Sequence, residues 1–290
     1  MEEIKDTEIR IISNPLQSRK SRLRTARRRW LVAAAILVAV AAVAASGLLW
    51  FTISTPMFCK QTAAHSNSSL PMASLRHWIA AGDTLKTRGT LVYNTTINKI
   101  ALRLMRPINA TPHLELGYNC LRDTADIVLM WRAADVRADN GKIVGAFVLQ
   151  GTPISWGLSK RGYCAIVDGE ITVGVADNSP LFEEATEREG DFFRQYPLVD
   201  NGRLVDNELK TKSIRRALCE IGGCVLVAET ATPVSMHDFA QALVDVGATN
   251  AIYLVGGNVI GWCVDTDGIR HASGDWADQL YKNISFIVWK

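Results

Sequence analysis

The chain has 290 residues, of which 48% are hydrophobic, with 32 Lys and Arg against 29 Asp and Glu. Residues 1–29 hold nine of the 32 bases and four of the 29 acids, which leaves 23 bases and 25 acids, about −2, for the remainder. Nucleic-acid-binding proteins concentrate positive charge on the folded domain, so this distribution argues against nucleic acid as a partner. The six cysteines contain no Cys-x-x-Cys pair and the five histidines show no metal-ligand spacing, so we expect no metal site and no cofactor.

An uncharged apolar segment, Trp30–Ile53, follows the basic tail of residues 1–29. As a helix it would span about 36 Å at ~1.5 Å per residue, enough to cross a bilayer. The many Lys and Arg ahead of it predict that the tail stays cytoplasmic. We therefore expect a single transmembrane anchor, a stalk over residues 54–73, and a folded domain over residues 74–290 beyond the membrane. A cleavable signal peptide is the alternative, with Ala42-Val43-Ala44 as a small-residue cleavage site.

The folded part opens with an amphipathic pattern over Ser74–Leu85, which predicts a short helix, and strand patterns dominate after Gly89. Residues 163–175 give the clearest hairpin. Asn-Gly and Asp-Gly pairs tolerate the positive φ of tight hairpin turns and are the strongest short-range hairpin signal. Four such pairs separate apolar stretches: Asn140-Gly141, Asp168-Gly169, Asn201-Gly202 and Asp267-Gly268.

Two further helices are marked by the residues at their starts. Ser179 followed by Pro180 predicts an N-cap and first position for a helix that continues to Arg188. Ser235 predicts the N-cap of a helix over residues 236–246. Because this second helix lies between two apolar strand patterns, we expect one right-handed βαβ crossover with a local parallel pair. Together with the hairpins, it predicts an α+β fold: a hairpin-rich mixed sheet with a few packed helices, preceded by the transmembrane helix.

The stretch between Ser213 and Asp265 holds the main candidate ligand-binding residues. Arg215 and Arg216 are adjacent on a predicted strand, so they point to opposite faces, and one of them could hold a phosphate with its planar fork. A surface pair or a structural salt bridge is the alternative. Gly256-Gly257-Asn258 ends a buried strand, where the glycines would let a ligand approach and Asn258 could bind a hydroxyl. A plain turn explains these three residues equally well.

Other groups in the chain admit a functional and a structural interpretation. Ser235 lies at a helix N-terminus, which favours anions, although a simple N-cap explains it. Cys219 and Cys224 flank a short turn and could form a disulfide or remain free thiols. Five carboxylates lie near these motifs, and no spacing selects a pair for catalysis: Asp191, Glu220, Glu229, Asp238 and Asp265. Five aromatics could stack on a sugar ring or pack in the core: Trp156, Phe192, Phe193, Tyr196 and Trp262.

Three stretches of the chain, within residues 127–289, resemble the phosphodiester glycosidase family. The first is Gly145-Ala-Phe147 with Gly151-Thr-Pro153 and Gly157, and the second is Tyr196-Pro-Leu-Val-Asp-Asn-Gly202. The third runs from Ile214-Arg-Arg-Ala217 through the Ser235 helix to Gly247-Ala-Thr-Asn-Ala251 and Leu254-Val-Gly-Gly257. The family removes N-acetylglucosamine from a phosphodiester. The resemblance implies a membrane-anchored bacterial member in the inner membrane, with its domain in the periplasm.

The resemblance implies a site in which Arg215, Arg216, Gly256, Gly257 and Asn258 bind a sugar phosphate or glycan. Two of the family's polar positions are replaced by Val144 and Val255. Glu229 and Ser235 are then the catalytic candidates, with Glu229 taking over acid or base work. The expected function is hydrolysis of a sugar-phosphodiester glycosidic bond. The alternative is a non-catalytic envelope protein that binds a glycan or protein partner on the same fold.

Overall fold

Strands dominate the part of the chain that the computed structural model describes, which comprises residues 69–117, 124–207, 211–274 and 283–290. These residues belong to one unit, His65–Lys290. The expected basic tail, the apolar segment and the stalk up to residue 68 lie outside the described residues. The helix predicted near the start of the domain is present and begins at Ser69, inside the segment expected to be a stalk.

The described residues form three helices and seventeen strands. The helices are α1 (Ser69–Thr84), α2 (Leu181–Glu187) and α3 (Met236–Asp245). The first eight strands are β1 (Gly89–Ile97), β2 (Ile100–Ile108), β3 (Pro112–Leu116), β4 (Leu129–Arg132), β5 (Ala146–Leu149), β6 (Thr152–Trp156), β7 (Gly162–Val167) and β8 (Glu170–Val175). The other nine are β9 (Asp191–Gln195), β10 (Pro197–Asp200), β11 (Arg203–Leu204), β12 (Arg216–Ile221), β13 (Cys224–Thr230), β14 (Ala248–Leu254), β15 (Gly261–Val264), β16 (Arg270–Ser273) and β17 (Ser285–Trp289).

The α+β class expected from the sequence is wrong, because the described residues are mostly β-sheet. The expected crossover also differs from its prediction. Strands β13 and β14, which α3 connects, form no parallel pair: β12 lies between them and pairs antiparallel with both. The transmembrane helix in the same expectation is not found, since none of the helices in the described ranges is long and apolar enough to cross a membrane. Its predicted segment, Trp30–Ile53, lies outside those ranges.

The described strands form three sheets. The seven-stranded sheet has the order β1-β2-β13-β12-β14-β10-β11. The two five-stranded sheets have the orders β16-β15-β4-β17-β3 and β6-β5-β9-β7-β8. All pairings between these strands are antiparallel, so short turns are enough to connect many of them.

Two hairpins show how the sequence specifies these short connections. Asp168 and Gly169 join β7 to β8 with φ values of 51° and 80°, as the Asp-Gly pair predicted. Gly222 and Gly223 join β12 to β13 with φ values of 59° and 78°. Positive φ at both central residues defines the turn whose twist matches that of the paired strands. The second turn fixes the register of the two strands that carry the candidate site.

Alternation along the strands of the seven-stranded sheet separates two cores. On β12, Ala217 and Cys219 face the side covered by α1 and α3, where Phe239 and Leu243 of α3 are buried. Leu218 faces the opposite side, where it joins buried residues from both five-stranded sheets, among them Trp131. Arg216 lies two residues before Leu218 and therefore points to this second, central side.

Asp191 on β9 is a buried carboxylate that hydrogen-bonds to β3 and to the β5–β6 turn. Its Oδ2 accepts a hydrogen bond from the Leu114 backbone N–H at 2.7 Å, and its Oδ1 accepts one from the Gln150 N–H at 2.8 Å. Burial raises the pKa of Asp191, while the two backbone donors act in the opposite direction. The carboxylate thus holds β3 of one five-stranded sheet against β9 and the β5–β6 turn of the other.

Replacing Asp191 by Asn is expected to destabilise the fold by about 1–3 kcal/mol, because the amide has one acceptor oxygen for two backbone donors. Urea unfolding followed by circular dichroism measures this difference. Asp139 is exposed and forms an ion pair with Arg137 at the surface, so D139N is the matched control and should leave the unfolding free energy nearly unchanged. Equal midpoints for D191N and the wild-type protein would contradict the assigned bridging role.

Candidate functional site

A row of polar side chains crosses four strands of the seven-stranded sheet. Asn94 on β1 is opposite Arg103 on β2, Arg103 is opposite Glu229 on β13, and Glu229 is opposite Arg216 on β12. Residues that are directly opposite each other in an antiparallel sheet have their side chains on the same face. The register therefore places two arginines on either side of one carboxylate, on the face that carries the central core.

Arg216 is held rigidly at the inner end of this row. Its side chain is 1% exposed, and its Nε donates to Glu229 Oε1 at 2.8 Å. Its Nη1 donates to the carbonyl oxygens of Val255 and Gly257 at 3.3 and 3.1 Å, and its guanidinium lies 4.5 Å from the Trp131 ring centroid. Burial lowers the pKa of Arg216, whereas the neighbouring carboxylate of Glu229 raises it. An arginine side chain stays protonated in proteins.

Glu229 uses both carboxylate oxygens within the row. Oε1 accepts from Arg216, whereas Oε2 accepts from the Ser273 hydroxyl at 3.3 Å and lies 3.6 Å from Nη1 of Arg103. The Glu229 side chain is 7% exposed and that of Arg103 is 37% exposed. Arg103 is therefore the arginine that solvent or a ligand reaches first, and Glu229 lies behind it.

A cavity of about 560 Å³ lies above this row, and we call it the arginine cleft. Its lining includes Arg103, Glu229 and Arg216, and Ser273 and Asn258 contribute further polar groups. The full lining comprises Asn94, Thr95, Thr96, Ala101, Leu102, Arg103, Ile214, Arg216, Glu229, Thr230, Ala231, Gly257, Asn258, Ser273 and Gly274. Among the described residues of this lining, the charged side chains are two arginines and one glutamate.

The arginine cleft brings together four of the seven residues predicted from the sequence. Arg216, Glu229, Gly257 and Asn258 line it, although they lie up to 42 positions apart in the chain. What joins them is the order β13-β12-β14 in the sheet, which puts the ends of these strands side by side. In the described ranges, no group of three or more His, Cys, Asp or Glu side chains lies close enough to hold a metal ion.

Arg215 does not line the arginine cleft, and its side-chain hydrogen bonds are to backbone carbonyls. Its Nε donates to the Val234 carbonyl at 3.2 Å, its Nη2 donates to the Thr211 carbonyl, and its guanidinium lies 6.0 Å from the Tyr253 ring centroid. These contacts fasten the segment before α3 to β12. The structure thus distinguishes the two adjacent arginines by the face that each one occupies.

Ser235 and Gly256 also lie outside the lining. The Ser235 hydroxyl accepts from the Asp238 N–H at 3.0 Å and donates to Asp238 Oδ2 at 2.7 Å, so it caps α3. A Cβ on Gly256 would lie 2.3 Å from the Ile214 carbonyl oxygen, so only glycine allows the two backbones to approach this closely. Gly256 therefore permits close contact between the segment after β14 and Ile214. Its neighbour Gly257 provides a carbonyl oxygen that accepts a hydrogen bond from Arg216.

The cleft residues that the sequence interpretation missed include Asn94, Arg103 and Ser273. Arg103 is 126 positions before Glu229, and only the pairing of β2 with β13 makes them neighbours. One signal was available in the alternation of Leu102, Arg103 and Leu104, because an arginine between two buried leucines on a strand faces the other side.

The other candidates from the sequence have structural positions. Cys219 is paired with Leu226 and Cys224 with Ile221, so the two thiols do not face each other, and both are free. Val255 contributes its backbone carbonyl to Arg216, and Val144 donates its N–H to the Asp135 carbonyl at 2.9 Å, away from the cleft lining. Of the aromatic candidates, Phe192, Phe193 and Trp262 are fully buried, whereas Trp156 is 67% exposed.

Comparison with known proteins gives likenesses in structure only. No protein-family model matches the chain, and no curated protein matches it. The catalytic domain of zebrafish N-acetylglucosamine-1-phosphodiester alpha-N-acetylglucosaminidase, auto-inhibited by its pro-peptide, is 12% identical with a TM-score of 0.49 over 69% of this chain and 81% of that one. A hypothetical protein from Synechocystis is 11% identical with a TM-score of 0.50 over 69% of this chain.

The chain spans 62% of the length of the Synechocystis protein, and identities of this order show a distant likeness in fold alone. The likeness to the Synechocystis protein is one of fold, and the family resemblance noted in the sequence remains a prediction.

Proposed function

We propose that this protein acts on a glycosyl phosphodiester of the cell envelope, which it binds in the arginine cleft and hydrolyses at the glycosidic bond. The observation that carries the proposal is the row Asn94–Arg103–Glu229–Arg216, in which two arginines flank the one carboxylate of the described lining. A domain outside the cytoplasm, as the first 53 residues of the sequence lead us to expect, is part of the same proposal.

The charge of the arginine cleft supports a singly charged ligand. Arg103 and Arg216 contribute two positive charges and Glu229 contributes one negative charge, which leaves a net charge of +1 among the described lining residues. A phosphodiester carries one negative charge and matches this value. Arg216 has one guanidinium nitrogen, Nη2, for which no hydrogen bond is found within the described part of the chain, and Arg103 is partly exposed. These two groups supply the donors for phosphate oxygens.

The same row supports a hydrolytic step with a single carboxylate. A water molecule attacks the anomeric carbon and gives its proton to Glu229, while the bond from that carbon to the phosphate oxygen breaks and its electron pair goes to the phosphate. The products are the free sugar and a phosphomonoester. A phosphate is a good leaving group that needs no proton from the enzyme, so the second carboxylate of most glycosidases is not required.

Arg103 and Arg216 would favour the transition state of this step over the bound substrate. Negative charge increases on the phosphate as the bond breaks, and the guanidinium of Arg216 is held in place before the reaction. Groups that are fixed where charge develops stabilise the transition state without having to reorganise.

A second function, binding without catalysis, is favoured by one observation. Both oxygens of Glu229 are already engaged, one by Arg216 and one by Ser273 and Arg103. A carboxylate in this position can serve to orient the two arginines around an anionic ligand. In this case the protein is an envelope glycan-binding protein on a glycosidase-like fold.

Glu229→Gln separates the two functions. If Glu229 takes the proton from water, we expect kcat for release of sugar to fall by about 10²–10⁴, with little change in the dissociation constant of the substrate. The full chain is incubated with methyl phosphodiesters of N-acetylglucosamine 1-phosphate and of hexose 1-phosphates, with and without divalent cations, and free sugar is measured as reducing ends. Binding by the wild-type protein without release of sugar from any of these would support the non-catalytic function.

Arg103→Ala tests the anion site in the same assays. We expect KM or the dissociation constant to rise by about 10–100-fold, because a charge-assisted contact to phosphate is lost. Arg137→Ala is the matched control: it removes the same charge from an exposed ion pair with Asp139, outside the cleft lining, and should change neither constant. Equal effects of the two substitutions would mean that general electrostatics, and not the arginine cleft, determines binding.

A further inference from the structure

A second cavity, of about 540 Å³, lies in the five-stranded sheet that begins with β6, and none of its lining residues is shared with the arginine cleft. Its size falls within the range of small-molecule sites, about 300–1,000 Å³. One wall is formed by Trp156 and Leu158, and the other by Pro180 and Phe182 at the start of α2. We call it the Trp156 cleft.

Trp156 gives this cleft its character. It is 67% exposed, whereas Trp131, Trp262 and Trp289 are at most 2% exposed. Trp156 lies on the edge strand β6 directly opposite Ala146 of β5, on the face where α2 packs. Ala146 is small, and a cavity that Trp156 lines together with Pro180 and Phe182 remains between the indole and α2.

The floor of the Trp156 cleft is rigid. Arg194 on β9 is 2% exposed, and its guanidinium donates to the carbonyl oxygens of Lys160, Ala176 and Asp177 at 2.8–2.9 Å. These bonds fasten the loop after β6 and the loop before α2 to the sheet. Both walls of the cleft are consequently held at a fixed separation, which favours binding because little is lost in ordering them.

The polar groups of the cleft determine which ligands match it. Asn178 and Glu183 are exposed at its rim, above the apolar walls. Glu183 is the accessible charge of the described lining, since the guanidinium of Arg194 is buried on backbone carbonyls. An anionic ligand would meet the exposed carboxylate of Glu183, and a purely apolar ligand would give that carboxylate and the Asn178 amide no hydrogen-bond partner.

We infer that the Trp156 cleft binds a neutral sugar ring. A pyranose presents a face of C–H groups and an edge of hydroxyl groups. The C–H face matches the indole of Trp156, and the hydroxyl edge matches the amide of Asn178 and the carboxylate of Glu183. The site is independent of the arginine cleft and would bind a glycan whether or not the protein hydrolyses it.

The test uses neutral disaccharides and two variants of one strand. The full chain, in a detergent without a sugar head group where detergent is needed, is titrated with cellobiose, maltose, mannobiose and diacetylchitobiose by calorimetry and saturation-transfer NMR. Trp156→Ala is expected to weaken binding of the recognised disaccharide about tenfold or more, because an exposed stacking platform is removed. Ile154→Ala, a change at the same edge strand in a residue that is 40% exposed and outside the cleft lining, should leave binding within about twofold.

Three outcomes would overturn the inference. They are no binding of any disaccharide, equal binding by W156A and the wild-type protein, and a change in oligomeric state caused by both W156A and I154A, which would identify the β6 edge as a contact for a second copy. We expect E229Q to bind the disaccharide as the wild-type protein does, because Glu229 lies in the arginine cleft. Failure of the proposed hydrolysis would then leave the proposed sugar site untouched, and failure of the sugar site would leave the hydrolysis untouched.

Discussion

Replacing Arg216 by alanine is expected to abolish binding of a glycosyl phosphodiester and to destabilise the fold by about 3 kcal/mol, near the lower end of the cost of breaking a buried ion pair. Arg216 is 1% exposed, and it bonds Glu229 and the carbonyls of Val255 and Gly257. Its removal leaves Glu229, in a poorly solvated position, with Arg103 at 3.6 Å and the Ser273 hydroxyl at 3.3 Å. Calorimetric titration and urea unfolding measure the two effects.

A double variant separates loss of the site from loss of stability. R216M/E229Q removes both charges and keeps most of the volume, so no buried charge remains unpaired and most of the lost stability should return. Binding of the phosphodiester should stay undetectable, because the inner donor is missing. Arg216→Lys keeps the charge but cannot reach Glu229 and two carbonyls at once, so we expect intermediate affinity. Wild-type affinity in R216A would exclude Arg216 from the site.

Gly261→Ala is expected to destabilise the protein by about 3 kcal/mol and to weaken phosphodiester binding, although Gly261 does not line the arginine cleft. A Cβ at this position would lie 2.1 Å from a ring atom of Trp131, with two further ring atoms within 2.6 Å. Trp131 is fully buried and supports the guanidinium of Arg216, so the ring cannot move aside without displacing that arginine. Overpacking of this kind costs about 1–3 kcal/mol, occasionally more.

Thermal unfolding should show this as a fall in Tm of about 6–12 °C for a domain of this size. The matched test is Gly261→Ala in a Trp131→Leu background, where the smaller side chain leaves room for the added methyl group. The two substitutions should then be strongly non-additive in the free energy of unfolding. Additive effects on the free energy of unfolding would show that the clash with Trp131 is not the cause of the destabilisation. Unaltered phosphodiester affinity in G261A would show that the Trp131 ring does not determine the position of Arg216.

Local features of this fold could be predicted from the sequence, while long-range pairings could not. The Asp168-Gly169 turn and the Ser235 cap are determined by residues within a few positions of each other, and both were predicted. The fold class was not, because strands dominate the described residues. The expected parallel pair was also wrong, because β12 lies between the two strands that α3 connects. Strand β12 takes this position because the Gly222-Gly223 turn pairs it with β13, and β14 then pairs with its other edge.

The candidate site shows the same limit. Adjacent arginines on a strand point to opposite faces, so the sequence allowed one of Arg215 and Arg216 to enter a cleft, with a surface pair or a salt bridge as the alternative. The choice between them depends on which face meets Trp131, and that residue comes from another sheet. Arg103 could not be associated with Glu229, because their proximity follows from the register between β2 and β13 and from no pattern around either residue.

The row from Asn94 to Arg216 has a consequence for how the protein folds. Its four members come from β1, β2, β13 and β12, and a slip of one residue between β2 and β13 would put Leu102 or Leu104 beside Glu229 in place of Arg103. An anion that contacts both arginines therefore selects the native alignment of these strands against every shifted one. Such a ligand would connect strands that lie far apart in the sequence. We expect its binding to slow hydrogen exchange of the backbone amides between β2 and β13, because local separation of these two strands becomes less frequent.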